Sequence, residues 1–202
     1  MRGSVIIFLF VIASSSASAQ FYDKMFFVGW NFNTPLVNRE FIEKPSSRGA
    51  RIGYRELIRE QFAIGVDLTW ATFDDYEPRQ TYYNQNSTLT TDFTNYANNY
   101  GVVLTGDYYF FEERKVMPYA GFGAGLAYNS YKVYYNVYSA GDNKFGLLLR
   151  PQAGVWLKFN ERKNWAFNAG VHFDFSTAKS ADLGYKNFMN AGFEIGLVFL
   201  DW

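Results

Sequence analysis

The 202-residue sequence contains no cysteine and a single histidine, His172. Without cysteine there is no disulfide framework, no thiol catalysis, no thiolate zinc site and no acylated lipoprotein cysteine. One imidazole cannot build a His-rich metal site, and no P-loop, dinucleotide fingerprint, EF-hand or zinc spacing occurs. No metal and no cofactor is therefore expected. Charge of one sign is also missing: 19 Lys+Arg stand against 19 Asp+Glu, which leaves no basic field for nucleic acid. Nor is there a run of 18 apolar residues, and a mean hydropathy of −0.19 is too low for a bundle of membrane helices. What the chain has in quantity is aromatic residues, 21% of the sequence within a hydrophobic share of 49%. Such a composition belongs to a folded chain and not to a disordered one.

Residues 1 to 19 have the layout of a secretory signal peptide. Arg2 supplies the positive start, Val5 to Ala13 is an apolar stretch of nine residues, and Ala17-Ser18-Ala19 is the small-residue pattern at which signal peptidase cuts. The stretch is too short for the alternative, an anchor helix, since spanning takes ~20 residues. Cleavage after Ala19 starts the exported chain at Gln20, and losing Arg2 leaves 18 cations against 19 anions.

Beyond Gln20 the dominant pattern has a period of two. Trp165, Phe167, Ala169, Val171, Phe173 and Phe175 alternate with Ala166, Asn168, Gly170, His172, Asp174 and Ser176. Successive side chains of a strand point to opposite faces, so this is a strand with one apolar side. Its 11 or 12 residues exceed the ~5–6 usual in globular proteins and suit the ~9–11 that cross a bilayer at a tilt. Similar alternation starts near Phe26, Ala50, Phe62, Val102, Ala120, Phe145 and Phe193, which makes eight strands; Trp156 and Leu148 blur the sixth. Connections alternate in length. Asn33–Arg48, Asp74–Asn95, Lys132–Asn143 and Ala178–Asn187 are long and polar, whereas Ile58–Gln61, Phe111–Val116 and Asn160–Asn164 are tight. Outer-membrane barrels have short periplasmic turns and longer outside loops. The expected fold is an all-β, eight-stranded antiparallel transmembrane up-and-down barrel over residues 20–202, with periplasmic termini and extracellular long loops.

The alternative is a soluble secreted barrel, whose apolar residues would face the lumen. That would pack Phe, Trp, Leu and Ile into a space just wide enough for side chains while glycines coated the outside. Gly121, Gly123, Gly125, Gly154, Gly170 and Gly196 make better sense inside, where they leave room for long polar side chains. Trp30, Trp70, Tyr108, Tyr128, Trp165 and Phe199 then form interfacial girdles.

Three stretches carry a family likeness: Gly49-Ala50-Arg51-Ile52-Gly53-Tyr54-Arg55 followed by Phe62-Ala63-Ile64-Gly65-Val66-Asp67, the glycine ladder Pro118 to Gly125, and the terminal Trp202. With them the chain resembles the small outer-membrane β-barrel proteins of Gram-negative bacteria, OmpX-like in size and similar in texture to the PorT-like barrel domains of Bacteroidota. The resemblance implies partners in outer-membrane lipid and in the barrel-assembly machinery, for which Trp202 is the insertion signal, although Asp201 interrupts the apolar face before it. It implies architecture and not activity, since such families host adhesins, assembly factors and subunits of envelope complexes.

The inward faces collect Arg51, Arg55, Arg150 and Lys158 against Asp67, Asp107, Asp174 and Glu194, four of each sign. Buried charges must be paired, so a salt-bridge network plugging the lumen is expected; the alternative is a narrow conduit for small solutes. His172 and Asp174 share a face, a spacing that could orient an imidazole for general-base work in a lipid-modifying barrel, but no nucleophilic serine has a motif around it. The chain is expected to be a monomer and not an enzyme. Loops on a rigid scaffold are the better place for binding. Tyr76, Tyr82, Tyr83 and Asn84 in the longest loop, and Tyr134, Tyr135 and Tyr138 in the third, suit amphipathic contacts with protein or glycan; otherwise they extend the strands as a stiff hairpin rim. The expected role is structural or interactive, with a protein partner in an envelope complex.

Overall fold

The computed structural model describes residues 24–37, 39, 41–84, 87–110, 115–159, 164–179 and 187–201. The expected signal peptide and Trp202 lie outside these residues. Eight strands, β1 (Lys24–Pro35), β2 (Ser46–Arg59), β3 (Phe62–Asn84), β4 (Ser87–Tyr109), β5 (Val116–Tyr135), β6 (Tyr138–Leu157), β7 (Trp165–Ser176) and β8 (Phe188–Asp201), close into one barrel in sequence order. Every neighbouring pair is antiparallel, and β1 completes the ring by pairing with β8 from Lys24↔Asp201 to Pro35↔Asn190. The end carrying both ladder termini and the turns after β2, β4 and β6 is called here the turn end; the other is the rim.

The period-two reading sets which face points where. On β1, Phe26, Val28, Trp30 and Phe32 are exposed while Met25, Phe27, Asn31 and Asn33 are buried. Two aromatic bands ring the outside. Phe62, Tyr108, Phe199, Phe26 and Trp165 stand toward the turn end; Trp30, Trp70, Tyr100, Tyr128 and Phe145 stand toward the rim, and the last four are cross-strand neighbours along the ladder. Phe62 and Trp70 are eight residues apart on β3, about 27 Å along a strand and about 20 Å along the axis at a ~40° tilt, close to the ~25 Å apolar band of such barrels. Ile64, Leu68, Val102, Leu104, Phe122, Leu126 and Leu147 fill the interval, facing outward.

Two of the expected long loops are strand. β3 and β4 each run 23 residues and stay paired to Asn84↔Ser87, so Asp74–Asn95 is ladder up to its tip. One register shift, between Glu77 and Gln80, brackets Pro78, which has no N–H to give to a ladder. Lys132–Asn143 is likewise paired to Tyr135↔Tyr138, and the chain reverses through Asn136 and Val137, with Asn136 in the left-handed region at φ 52°. Strands β3 to β6 therefore rise as a wall above the shorter β1, β2, β7 and β8. In contrast, the described residues between Pro35 and Ser46 remain outside the ladders as a strap at the rim.

Inside, three layers follow one another. At the turn end Met25, Phe27, Tyr109, Met117, Tyr119, Trp156, Val198 and Leu200 form an apolar plug. Trp156 and Leu148, which blurred the alternation, are large apolar side chains pointing inward. Charged and amide side chains occupy the middle, and at the rim Ile42, Phe73, Tyr131 and Phe188 form a second apolar layer.

Glycines make the middle layer possible. A Cβ at Gly121 would overlap Asp107 Oδ1 and stand 2.8 Å from the Gly106 carbonyl, and one at Gly53 would overlap Asp67 Oδ1. A Gly121→Val variant should fail to give the folded, faster-migrating band of a heat-modifiability gel. Gly106→Ala, whose added carbon meets only the Phe62 ring at 3.2 Å, should fold with a loss of roughly 1–3 kcal/mol at most.

Candidate functional site: a closed lumen beneath a raised rim

The mid-barrel layer joins six strands. From β2, Arg51 reaches Glu194 of β8 at 2.6 Å and Asp67 of β3 at 3.3 Å, and donates to Gln152 of β6. Arg55, four residues further along β2, binds Asp67 at 2.7 and 3.0 Å and Asp107 of β4 at 2.5 Å. Arg150 of β6 holds Asp174 of β7 in a two-pronged contact, Nε to Oδ1 at 2.5 Å and Nη2 to Oδ2 at 2.6 Å. All seven charged groups are buried. Arginine suits this role because its planar fork can bond two carboxylates at once. The Arg51 guanidinium also lies 4.3 Å from the Phe27 ring, the apolar plug thus serving as its floor.

These seven charged residues are among those expected on the inward face, and the structure buries them; the eighth, Lys158, is placed elsewhere. Lys158 lies just past the end of β6, half-buried at the turn end, where its backbone N–H donates to the Lys115 carbonyl at 2.8 Å. The expected four-to-four balance becomes three arginines against four carboxylates in the layer. Amides supply the remaining donors: Gln152 Nε2 to Asp107 at 2.6 Å, Asn168 Nδ2 to Glu194 at 2.7 Å and Asn190 Nδ2 to Asp174 at 3.5 Å. Asn168 in turn accepts from the Tyr119 hydroxyl at 3.2 Å, linking the layer to the plug. The amides were visible as inward positions, but nothing in the sequence marks them as partners of particular carboxylates.

His172 and Asp174 do not form a catalytic pair. Both Asp174 oxygens are held by Arg150, while His172 Nε2 meets Asn33 Oδ1 at 3.0 Å, and the Ser176 hydroxyl accepts from the Ala178 backbone N–H at 3.2 Å. Among the described residues no cluster of three or more His, Cys, Asp or Glu side chains has the arrangement of a metal site.

The strap shuts the rim. Ile42, only 2% exposed, packs with Phe73, Tyr131 and Phe188, and Phe41 sits edge-on to Tyr131 at 6.4 Å. Polar contacts fasten it to the inner side of the wall: Asn95 Nδ2 donates to the Phe41 carbonyl at 3.0 Å, the Glu43 N–H donates to Asp75 at 3.0 Å, and Lys44 pairs with Asp75 at 2.8 Å. Burial by itself would raise the Asp75 carboxyl, but Lys44 and the Glu43 and Lys44 N–H groups hold it below its ordinary value; Lys44 is raised by the same hydrogen bond. The sequence marks this anchor only by an isolated Phe41-Ile42 in a polar connection.

The proposed binding tyrosines divide. Tyr76, Tyr83, Tyr134 and Tyr138 are exposed, with Tyr76 donating to Asp92 at 3.3 Å; Tyr135 stacks on Tyr138 at 5.8 Å across the turn. Tyr82 and Asn84 are ladder residues whose side chains lie outside the described set. Tyr96 meets Tyr134 edge-on at 5.6 Å on the outer face of the wall, beside Lys132, Thr94 and Asn98.

No family model and no curated protein matches this sequence. Solved structures do match. A major outer membrane protein from Thermus thermophilus superposes with a TM-score of 0.57 at 12% identity, over 90% of this chain and 100% of that one. Ail, the attachment invasion locus protein of Yersinia pestis, gives 0.54 at 14% identity over the same shares. Ail in complex with the heparin analogue sucrose octasulfate gives 0.53 at 11% identity over 90% and 100%. The chain thus has the fold of the small eight-stranded outer-membrane β-barrel proteins.

Removing one member of a buried ion pair leaves the other uncompensated, at about 3–5 kcal/mol. Arg51→Leu should lose roughly that much in urea unfolding followed by tryptophan fluorescence. Arg51→Leu combined with Glu194→Leu should lose less than Arg51→Leu alone. At the rim, a lowered carboxylate stabilises above its ordinary range and ceases to as pH falls through its folded value. Acidification should therefore release the strap, read as faster intrinsic-rate-corrected amide exchange at Glu43, and Asp75→Asn should abolish that pH dependence.

Proposed function

We propose that this chain is a non-enzymatic barrel of the bacterial outer membrane that works through its surfaces and not through its lumen: a structural or interaction protein, a subunit or accessory of an envelope complex. One observation carries the reading. The lumen is closed at three levels, by the apolar plug, the ion-paired layer and the Ile42 strap, while β3 to β6 continue well past the upper aromatic band as an ordered wall. A channel would need a wet axis, which eight strands rarely leave.

Export by the 1–19 signal peptide, insertion signalled by Trp202, periplasmic termini and an outward-facing rim complete the proposal, together with the finer likeness to PorT-like barrels. They are supported by the residue patterns and by the match of the outer apolar band to bilayer thickness. Ail has been solved with the heparin analogue sucrose octasulfate; at this rim Arg39, Lys44, Arg48 and Lys144 are each engaged in an ion pair. The outer face of the wall, with Tyr76, Tyr96 and Tyr134, suits a protein partner, since tyrosine combines apolar area with a hydrogen-bonding tip.

The test is extraction of the protein, tagged after Gln20, from its native membrane in mild detergent. Stoichiometric copurification of an envelope protein is expected, as are no conductance steps in planar bilayers. A variant with residues 76–94 replaced by Asn-Gly, which joins the ladder pair Asp75↔Asn95, should keep the barrel and lose the partner. Conductance, or a barrel that comes out alone, overturns the reading.

A further inference from the structure

Four polar side-chain atoms within the lumen have no hydrogen-bond partner among the described residues and belong to residues lining one chamber: Asn31 Oδ1, Asn33 Nδ2, Arg150 Nη1 and Asn190 Oδ1. Their residues are only 1–2% exposed. A polar atom taken out of water and left unpaired bears its full desolvation penalty, so native proteins give such atoms a protein or solvent partner. The chamber lies between the ion-paired layer and the rim cap. Arg150 and Asp174 line it on one side, and Ala71 and Phe188, which pack with Ile42 of the strap, line it on the other. Its volume of about 10 Å³ approaches the ~10–15 Å³ that one water requires.

The orientation of Arg150, Asn190 and Asn33 follows from their other contacts. Arg150 has committed Nε and Nη2 to Asp174, which leaves Nη1 as a donor. Asn190 directs Nδ2 to the Asp174 carboxylate, an acceptor only, so Oδ1 is its free end. Asn33 Oδ1 lies 3.0 Å from His172 Nε2 and accepts from it in the Nε2–H tautomer, which makes Nδ2 its free end. The chamber therefore presents two donors and two acceptors. An anion would meet the Asn31 and Asn190 oxygens in a layer already one carboxylate in excess, and a cation would meet the Arg150 guanidinium. A molecule that donates two hydrogen bonds and accepts two is the complement of this set.

We infer that the chamber is a binding site for one ordered water, which bridges β1 through Asn31 and Asn33, β6 through Arg150 and β8 through Asn190. It ties the β1–β8 seam, where the barrel closes, to β6, two strands beyond β8 in the ring. The site is independent of what the rim binds.

A crystal structure of the barrel at a resolution that places solvent is the direct test. A density peak within about 3.2 Å of at least three of the four atoms supports the inference. Direct pairing of the four groups with one another, or no density among them, overturns it. Oxygen-17 magnetic relaxation dispersion in detergent micelles gives a second measure. The native barrel should hold one more long-lived water than Asn31→Leu, whose apolar side chain occupies the chamber and removes one acceptor; equal counts overturn the inference. Should Asn31→Leu not fold, the native crystal structure still decides.

Discussion

An eight-stranded cylinder is too narrow to let an inward side chain reach bulk water, and the rest of the architecture follows from that. Polar groups pointing in must find their partners inside the barrel, most of them on another strand. Arginine meets the demand because its fork spans two acceptors, as Arg51 and Arg55 do around Asp67. Lysine, a point charge on a flexible stem, is found at the end of β6, where Lys158 stands half-buried. Glycine meets the complementary demand for space: Gly53, Gly121 and Gly192 stand where a Cβ would enter Asp67, Asp107 or His172. The charged layer and the glycine ladder are thus two halves of one packing solution.

The outer surface obeys a different constraint, set by the surroundings of the wall and not by its neighbours. Aromatic bands bracket an aliphatic zone, and beyond the upper band β3 to β6 turn to Tyr, Asn, Thr and paired charges without losing their ladder. The strap between β1 and β2 leans on the inner side of this wall, through Asn95 and Asp75, and delivers Ile42 to the mouth. The same tall strands therefore hold both an outer face and the anchorage of the closure.

Fold class, strand number and the inward set of charges could be read from the sequence because a period of two over 11 or more residues has few other physical explanations. Two kinds of feature could not. Asp74–Asn95 and Lys132–Asn143 are polar on both faces above the bilayer, so alternation vanishes although the hydrogen-bonded ladder does not, and they resemble loops. Trp156 and Leu148 broke the pattern because a plugged lumen accepts large apolar side chains inside as well as outside. Which carboxylate meets which arginine depends on the stagger between strands, and Arg51 and Glu194 are joined only through the closure of β1 on β8. The Ile42 anchor is a single contact in a connection without periodicity.

Unequal strand length has a consequence for how this molecule behaves among others. A barrel with a level rim is the same from every compass bearing, and spinning about its axis changes nothing a neighbour could sense. Here β3 to β6 overtop β1, β2, β7 and β8, so the protein has a front and a back. Its rotation in the membrane plane carries information: an approaching neighbour meets a tyrosine-faced screen on one bearing and a low parapet on the opposite one, and lateral encounters become handed.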